Sequence, residues 1–579
     1  MKYTFSLKIL FCITMILSCK ADNIFESELQ SSYSLDSTYP ENKLTIIGGG
    51  VVGAFQVYYA YLNACKTHAK LRVTIYEKNK NIADTTVSHI VPSLTPDEIL
   101  SVVPRGKELV KKLQILFSQP GGIRIDDVIN VNDSKSAIHF MEQAEIYSQD
   151  DEGYQKRTQA LLSLGKMSMD LWQKIYDDAD SELKAILIES NFNPCREPRK
   201  EEVALHDGYR IDLIYNVPNA AERAHGMECD YKGLGYSNCK ILSPEEVIAF
   251  DPFLTDFCTN HSTLDAAGIA QWHNDSVALW RPGGCIDTQV FLPKFYTYLK
   301  KVMGTYINKS GKVKDCFQLR FEREVQRIEF TEDFNSLSIS GLYFNDGYVK
   351  RDNYTYKTSA YSFCPGEAVG MLTKFGLKEP AYARFAGASL MMNIPIPVNK
   401  IADYSAFNHC MEVHQEGVVL AWQARFRNDK IFIGVAGTKA FYGDQQPGKD
   451  HDFAKNRNLL QLNMINDVLP EFISIALERD TKGQQLTESD LHFLEMNGFA
   501  ERWAGTRAVA FDGFPTLGIA YSKNGIKINN AFVATHLGSG GGSFAPAAVV
   551  VSRSDRDRQA KQDPLIATVL DFARSDRSA

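Results

Sequence analysis

Several signatures of common enzyme sites are missing from this chain. Its 11 cysteines include no C-x-x-C pair, which excludes zinc ribbons and thioredoxin-type chemistry. There is no H-E-x-x-H motif and no G-x-S-x-G elbow, which argues against zinc proteases and α/β-hydrolases. The cluster "NHCMEVH" contains His409, Cys410 and His414, but on a strand the two histidines share neither face nor a spacing suited to one ion. We therefore predict no metal site.

Long apolar runs, basic blocks and internal repeats are scarce as well. No segment approaches the roughly 20 apolar residues that a transmembrane helix needs. A net charge of -7 without any basic block argues against nucleic acid as a partner. The chain has 579 residues, which is too long for one compact domain, and the body contains no low-complexity linker. We expect two lobes that are interleaved in sequence.

The first residues have the composition of a secretory signal. Lys2 and Lys8 precede or border the short apolar run Ile9–Leu17, so we predict a signal peptide over residues 1–18 and a polar tether over 19–42. Cys19 ends a segment, Ile-Leu-Ser-Cys, that resembles a bacterial lipobox. A lipid anchor on Cys19 and an ordinary signal with an incidental cysteine both remain open. In either case we expect export to the periplasm, the cell surface or the medium.

The remaining cysteines are scattered along the body of the chain. In an exported protein some could form disulfides, and Cys229 and Cys239 are the closest pair in sequence. Their odd number and the lack of a regular framework favour buried free thiols.

A glycine motif near the front of the body has the pattern of a dinucleotide site. Leu44–Ile47 is predicted as a strand, Val51–Ala64 as a buried helix and Leu71–Glu77 as a second strand ending in an acid. Between the first strand and the helix, G-x-G-x-x-G is formed by Gly48, Gly50 and Gly53. In such a unit the first glycine makes a tight turn, the second admits a pyrophosphate and the third lets the helix pack on the strand.

The rest of this unit predicts which dinucleotide binds. The helix N-terminus, with Val51 and Val52, faces the phosphates. Glu77 lies 24 residues past Gly53, where its carboxylate can accept the ribose hydroxyls, with Lys78 beside it. An acid at this position disfavours a 2′-phosphate and hence NADP, which leaves FAD and NAD.

A second glycine-rich segment lies near the end of the chain. A strand is predicted at Ala531–Thr535 and an apolar helix at Ala545–Val551. The loop between them contains Gly538, Ser539, Gly540, Gly541 and Gly542. Glycine costs conformational entropy, so such a strand–glycine–helix unit indicates close approach of the backbone to a ligand.

The middle of the chain contains recognisable helix starts. A long amphipathic helix is predicted over residues 153–180, a capping box begins at Ser243 with Glu246, and Asp287 caps another helix. Gly366 separates a strand from a helical segment.

In their order, these features resemble the D-amino-acid oxidase/glycine oxidase superfamily of FAD-dependent oxidoreductases. The family's front motif is similar to Gly48, Gly50, Gly53 and Glu77, and its central strand and glycine are similar to the segment ending at Gly366. Its C-terminal W-A-G-x-R resembles Trp503–Arg507, and its N-L-[FY]-V-A-T-G-H segment resembles the stretch from Asn530. Where the family has A-T-G-H, this chain has Ala-Thr-His536-Leu, so that glycine is displaced.

The resemblance implies an α/β fold. It consists of a Rossmann-like FAD-binding domain, with the G-x-G-x-x-G βαβ unit, interleaved with a substrate domain built on a mostly antiparallel sheet with helices. We assign the FAD domain to residues 43–120, 285–378 and 505–579. The substrate or cap domain then comprises residues 121–284 and 379–504.

The resemblance also implies an enzyme, FAD as cofactor, and oxidation of a small amine or amino acid by hydride transfer to flavin N5, with O2 or a quinone as acceptor. Arg507 would bind a substrate carboxylate, although a structural salt bridge is its alternative, and His536 is a second catalytic candidate. The FAD-binding candidates are Gly48, Gly50, Val51, Val52, Gly53, Glu77, Lys78, His89, Gly366, Gly538, Ser539, Gly540, Gly541 and Gly542. Oxidation of a hydroxy acid or polyol phosphate, and a non-catalytic FAD-containing binding protein, remain open alternatives.

His89 is a candidate for contact with the flavin ring. It lies 12 residues beyond Glu77, where some amine dehydrogenases of the superfamily have a flavinylated histidine. Its Ser-His-Ile-Val-Pro context differs from theirs, so we expect free FAD with His89 near the ring.

Overall fold

The computed structural model describes most of the chain after the first 40 residues. Described are residues 41–85, 93–98, 139–147 except 141 and 145, 151–193, 209–307, 313–333, 336–347, 349–351, 359–366, 370–404, 408–415, 418–427, 429–442, 452–469, 485–553 and 569–574 except 571. The predicted signal peptide, nearly all of the tether, Cys19 and His89 lie outside these ranges. The described helices include none that is long and apolar enough to cross a bilayer.

The strands, numbered in chain order, are β1 (Glu41–Ile47), β2 (Lys70–Tyr76), β3 (Ser93–Leu94), β4 (Tyr209–Ile214), β5 (Lys240–Leu242), β6 (Ser262–Leu264), β7 (Ala270–Trp272), β8 (Val277–Pro282), β9 (Gly284–Cys285), β10 (Thr305–Ile307), β11 (Val313–Asp315), β12 (Phe317–Arg320), β13 (Val325–Asp333), β14 (Ser336–Phe344), β15 (Val349–Arg351), β16 (Ser359–Phe363), β17 (Tyr382–Pro395), β18 (Asn408–Gln415), β19 (Val418–Arg427), β20 (Lys430–Tyr442), β21 (Ala500–Ala510), β22 (Thr516–Tyr521) and β23 (Lys527–Thr535).

The α-helices, numbered in the same way, are α1 (Val51–Lys66), α2 (Asp151–Asp178), α3 (Ser181–Glu189), α4 (Ala220–Gly233), α5 (Pro244–Phe250), α6 (Thr255–Asn260), α7 (Thr288–Met303), α8 (Met371–Lys374), α9 (Ile401–Tyr404), α10 (Asp452–Val468), α11 (Glu488–Met496) and α12 (Ala545–Ser552).

The first large sheet has a parallel centre. Its order is β12-β2-β1-β16-β23-β14-β13, and the pairs from β12 to β23 are parallel. Strands of such a sheet are covered on both faces and read as continuous apolar runs, as here with Ile46, Ile75 and Phe363, all fully buried. Because β1 and β23 both pair with β16, the two glycine segments that follow them leave the same edge of the sheet.

The second large sheet is mostly antiparallel. Its order is β21-β17-β20-β19-β18-β4-β8-β5, and all neighbours are antiparallel except β18 and β4. Strands of the first sheet and strands of the second alternate along the chain. The residue boundaries predicted for the two domains stay a prediction.

The helix starts follow their local sequence. Ser243 accepts a hydrogen bond from the Glu246 N–H at 3.2 Å, and the Glu246 carboxylate accepts one from the Ser243 N–H at 2.9 Å, so the predicted capping box of α5 is confirmed. Asp287 caps α7 by accepting from the Val290 N–H at 3.3 Å, also as predicted. The long amphipathic helix predicted over residues 153–180 is α2.

An aromatic cluster fixes three of these helices against one another. The Phe55 ring of α1 lies 4.9 Å from the Trp172 ring of α2, edge to face, and Phe291 and Phe295 of α7 stack beside them. Such pairs add about 0.5–1.5 kcal/mol each beyond the area they bury. The cluster places α1, and therefore its N-terminus, rigidly behind the first glycine segment.

The described cysteines are free thiols. Cys239, Cys258, Cys285, Cys316 and Cys364 are buried, as predicted, and Cys65 and Cys410 are half-buried. For Cys229 the expectation of burial is wrong, because it lies on the solvent side of α4.

Candidate active site

The glycines of the front motif have three different surroundings. Gly48 has a φ of +107°, and a β-carbon there would lie 2.1 Å from the Cys364 carbonyl oxygen of the neighbouring chain segment. A β-carbon on Gly53 would lie 2.3 Å from the Gly48 carbonyl oxygen. Gly50, by contrast, has no heavy atom of a described residue within 4 Å of that position. The outer two glycines therefore permit close packing of strand and helix, and the middle one opens onto free space.

The N-terminus of α1 points into that space without a local partner. Its cap, Gly50, supplies no side chain, and the first turn contains no acid. The first N–H groups of a helix have no intrahelical acceptor and carry a partial positive charge, so they favour an anion. This donor set fits a pyrophosphate.

Glu77 lies at the end of β2, beside the glycine segment. Its buried carboxylate accepts hydrogen bonds from the N–H groups of Gly49 at 2.7 Å and Asn79 at 3.0 Å. An ionised carboxylate has about four acceptor sites, so two backbone bonds leave capacity for hydroxyls of a ligand. Glu77 therefore also stabilises the glycine turn against the end of β2, a structural role that the sequence pattern did not predict.

The C-terminal glycine segment is a short 3-10 turn, Gly538–Gly541, between β23 and α12. Gly538 has a φ of +56°, and the surroundings of Gly541 are open. The Ser543 carbonyl oxygen behind the turn accepts from Ser168 Oγ at 2.6 Å and from Trp172 Nε1 at 3.2 Å, both on α2. Two donors of α2 thus hold the residue that follows the turn, while Gly538 and Gly541 line the cavity.

His536 occupies the position where the family pattern has glycine. Its φ of +58° lies in the left-handed region, which explains why glycine is usual there and shows that this histidine is held against a strained backbone. The ring is fully buried, with Nδ1 2.8 Å from Thr516 Oγ1 and Nε2 3.2 Å from the buried Glu379 carboxylate. The Nε2 contact is an ion-pair distance without good hydrogen-bond alignment.

One cavity of about 420 Å³ joins these features. It runs from the front glycines past the loop at Gly366 to the C-terminal turn, and from there onto the face of the second sheet. Apolar side chains of that sheet, Val419, Ala421 and Ala436, form part of its wall.

Arg507, on β21, is the cationic residue that was expected there. Its guanidinium occupies the space above Gly387, where a β-carbon would lie 2.1 Å from Nη2. Burial lowers the pKa of the guanidinium, and the nearby Glu98 carboxylate opposes this. Among the described residues, none forms a salt bridge with Arg507 within 4.0 Å, so the structural salt-bridge alternative finds no support there.

The predicted site residues are thus mostly brought together. Those that line the cavity are Gly48, Gly50, Val51, Val52, Glu77, Lys78, Gly366, Arg507, His536, Gly538 and Gly541. Gly53 lies behind it, in the helix–strand contact, and Gly542 is not among the lining residues. Ser539 and Gly540 belong to the 3-10 turn, but their surroundings lie outside what the structure describes, as does His89.

A buried charge cluster on the second sheet was not predicted from the sequence. Arg210 and Arg281 each bridge the carboxylates of Asp212 and Glu412, with contacts of 2.8 Å from each arginine to Glu412. Arg281 also pairs with Asp97 at 3.0 Å. Burial alone would raise the pKa of the Glu412 carboxyl, but Arg210 and Arg281 outweigh it and hold that pKa well below its usual range.

His414 completes this cluster. Its Nε2 lies 3.3 Å from Glu412 and 3.5 Å from Asp212, and the three side chains are close enough to ligate one ion. Both carboxylates are already paired with the guanidiniums of Arg210 and Arg281, which disfavours a cation at this position. The grouping was missed because β4 and β18 become neighbours only in the folded sheet.

Comparison with known proteins gives a match at the level of the fold. No protein-family model matches the chain, and no curated protein does. Among solved structures, L-proline dehydrogenase from P. horikoshii matches with a TM-score of 0.50 at 14% identity, over 93% of this chain and 98% of that one. L-amino acid deaminase from Proteus vulgaris, with its specific insertion deleted, has a TM-score of 0.46 at 12% identity, over 90% of this chain and 91% of that one.

A third similar structure is L-α-glycerophosphate oxidase from Mycoplasma pneumoniae with FAD bound, with a TM-score of 0.46 at 12% identity, over 92% of this chain and 95% of that one. At 14% identity, the match to proline dehydrogenase shows a shared fold. The comparison therefore supports the fold that the family resemblance implies.

Proposed function

We propose that this protein is an FAD-dependent oxidoreductase that oxidises a small amine or amino acid. The observation that carries the proposal is the single cavity that joins a dinucleotide-type glycine segment, a second glycine turn and Arg507. The fold shared with proline dehydrogenase supports the same conclusion.

The residues around the cavity fit FAD. The N–H groups at the start of α1 would bind the pyrophosphate, and Glu77 would accept from the ribose hydroxyls. The backbone at Gly538 and Gly541, which lines the cavity, would admit the isoalloxazine ring. When bound, FAD supplies the hydride acceptor of the reaction.

The chain itself contributes binding and orientation. Arg507 presents its planar fork toward the cavity and would bind a carboxylate through two charge-assisted hydrogen bonds. The apolar wall formed by Val419, Ala421 and Ala436 keeps water from the carbon that bears the amine. The substrate would react as its neutral amine, after the ammonium group has lost a proton to water, because the nitrogen lone pair forms the C=N bond as the hydride leaves the carbon. Water would then hydrolyse the imine.

The proposal is tested with the purified full-length protein. It should be yellow, and on denaturation it should release FAD rather than FMN or NAD. Anaerobic mixing with a panel of amino acids, amines, hydroxy acids and polyol phosphates should bleach the flavin band for an amine or amino acid. A protein that binds FAD but is bleached only by hydroxy acids or polyol phosphates would refute the substrate class, and a protein without flavin would refute the cofactor.

We further propose that the chain is exported and loaded with free FAD after translocation. The proposal rests on the apolar run Ile9–Leu17 and on the absence of a twin-arginine signal from the sequence. Expression with residues 1–18 intact should place a shortened protein outside the cytoplasm. Recovery of uncleaved protein from the cytoplasm would refute export, and colour retained in an acid-precipitated pellet would refute free FAD.

A further inference from the structure

Two arginines at the cavity, Arg223 of α4 and Arg507 of β21, differ from three buried arginines of the second sheet. Arg210, Arg281 and Arg425 each form ion pairs with carboxylates. Arg223 and Arg507 line the cavity, and among the described residues neither forms a salt bridge within 4.0 Å. The cavity therefore contains two guanidinium groups that form no salt bridge with any described carboxylate.

Arg223 reaches the cavity from α4. Residues three and four positions apart share a helix face, and Arg223, Met227 and Asp230 accordingly line the cavity together. Arg223 itself is exposed at the rim, where a substrate would pass or bind.

His414 holds the Arg223 guanidinium in place. Arg223 Nη2 lies 3.2 Å from His414 Nδ1, and since arginine can only donate, Nδ1 must be the acceptor. The ring proton then lies on Nε2, which faces the carboxylates of Glu412 and Asp212. One of the five guanidinium N–H groups is used in this way, so the others are left for a ligand.

The buried charge cluster next to His414 favours the positive charge of Arg223 without forming a salt bridge with it. Arg210 and Arg281 oppose three carboxylates, those of Asp212, Glu412 and Asp97, which leaves one surplus negative charge. Desolvation of the guanidinium lowers the pKa of Arg223. The carboxylates of Glu412 and Asp212, which form no salt bridge with Arg223, partly offset this shift. A buried ion cluster adds little net stability, so a positioning role is a better reason for its presence.

From this geometry we propose that Arg223 is a second anion anchor and that the preferred substrate is an amine with two anionic groups. One group binds Arg507 and the other binds Arg223, with the carbon that bears the amine between them. Glu98 and Asp230 also line the cavity and can face the amine cation. Burial, followed by the neighbouring Asp97, raises the pKa of the Asp230 carboxyl. This inference rests on the proposed function.

The test uses full-length, flavin-loaded protein and three variants: Arg223→Gln, Arg223→Lys and, as matched control, Glu222→Gln on the exposed side of the same helix. Reduction of the flavin is followed anaerobically with paired amines, namely glutamate against glutamine, aspartate against asparagine, and O-phosphoserine against serine. Both enantiomers of each are used.

The unaltered protein should prefer the dianionic member of at least one pair. Arg223→Gln should lower kcat/KM for that member about 10- to 100-fold, mainly through KM, and change the neutral member less than about 3-fold, because only the charge-assisted bonds of the second anion are lost. Arg223→Lys should recover part of the loss and Glu222→Gln should have no effect. A preference for O-phosphoserine over glutamate would assign the second anion to phosphate.

Equal losses for both members of a pair, or preference for the neutral member, would overturn the proposal. A binding measurement tests Arg223 as an anion anchor independently of the proposed oxidation reaction. Glutarate should perturb the flavin absorbance at lower concentration than butyrate, and Arg223→Gln should remove that difference. If no amine reduces the flavin, the proposed function fails while the glutarate comparison still tests Arg223; equal binding of glutarate and butyrate overturns Arg223 as an anchor.

Discussion

At the scale of single residues, Arg507 can occupy its position only because residue 387 is a glycine. Gly387 of β17 is paired with Gly505 of β21, and the Arg507 guanidinium lies where a β-carbon on Gly387 would be. The φ of Gly387 lies outside the left-handed region, so this glycine is required by space rather than by backbone conformation.

Gly387→Ala should therefore displace the guanidinium while leaving the fold intact. We expect KM for a carboxylate-bearing substrate to rise about 10-fold or more, since misalignment weakens two charge-assisted hydrogen bonds. The flavin spectrum and Tm should change little. Gly226→Ala, on α4 with nothing within 4 Å, is the control. An unchanged KM in Gly387→Ala would show that Arg507 does not bind the substrate.

Glu77 is the other residue whose role can be separated by substitution. Glu77→Ala should weaken FAD retention and also lower the stability of the FAD-free protein, because the Gly49 N–H then loses its buried acceptor at a cost of about 1–3 kcal/mol. Dialysis followed by flavin quantification and denaturant unfolding measures both effects. Loss of FAD without any loss of stability in the FAD-free protein would contradict the structural part of this role.

At the scale of elements, α2 supports the C-terminal glycine turn. The Ser543 carbonyl oxygen accepts from two donors of α2, so removing one leaves the other. Trp172→Phe keeps the aromatic contacts with Phe55 and Phe291 but removes the indole N–H.

We expect Trp172→Phe to lower the free energy of unfolding by about 1–3 kcal/mol, from the lost buried hydrogen bond and the smaller ring. Urea unfolding of the flavin-loaded protein measures it. Glu152→Gln, which breaks an exposed i,i+4 pair with Lys156 on the same helix, should cost less than about 1 kcal/mol. Equal effects of the two variants would show that α2 does not hold the turn.

At the scale of the whole molecule, the buried charge cluster makes stability depend on pH. Arg281 and Arg210 lower the pKa of Asp212, and the same arginines lower that of Glu412, in each case against the opposing effect of burial. A carboxyl whose folded-state pKa is depressed stabilises the fold above its unfolded pKa of about 4 and loses this contribution as pH falls further.

The free energy of unfolding should therefore decline as pH falls below about 4.5, more steeply than in a variant that lacks one of these carboxyls. Glu412→Gln should cost about 3–5 kcal/mol at pH 7, because it removes one carboxylate partner from each of two buried guanidiniums, and should flatten the acid limb. Denaturant unfolding at pH 7 and across the acid range measures both. An unchanged acid limb in Glu412→Gln would show that other groups dominate it.

The sequence by itself determined the local units of this protein. The strand–glycine–helix segments at Gly48 and Gly538, the acid at Glu77 and the caps at Ser243 and Asp287 were predictable, because each depends on residues close together in the chain. Their order also predicted the fold through the family resemblance, which made Arg507 a site candidate, and the role of Arg507 stays a prediction.

Only the tertiary structure decided what meets at the cavity. His414 comes from a strand and Arg223 from a helix, and no spacing in the sequence links them. The second role of Glu77, the strained backbone of His536 and the need for glycine at position 387 likewise depend on neighbours distant in sequence. Periodicity and capping depend on residues a few positions apart in the chain. Ion pairs and steric limits depend on residues that lie within a few ångströms of one another after folding, however distant they are in sequence.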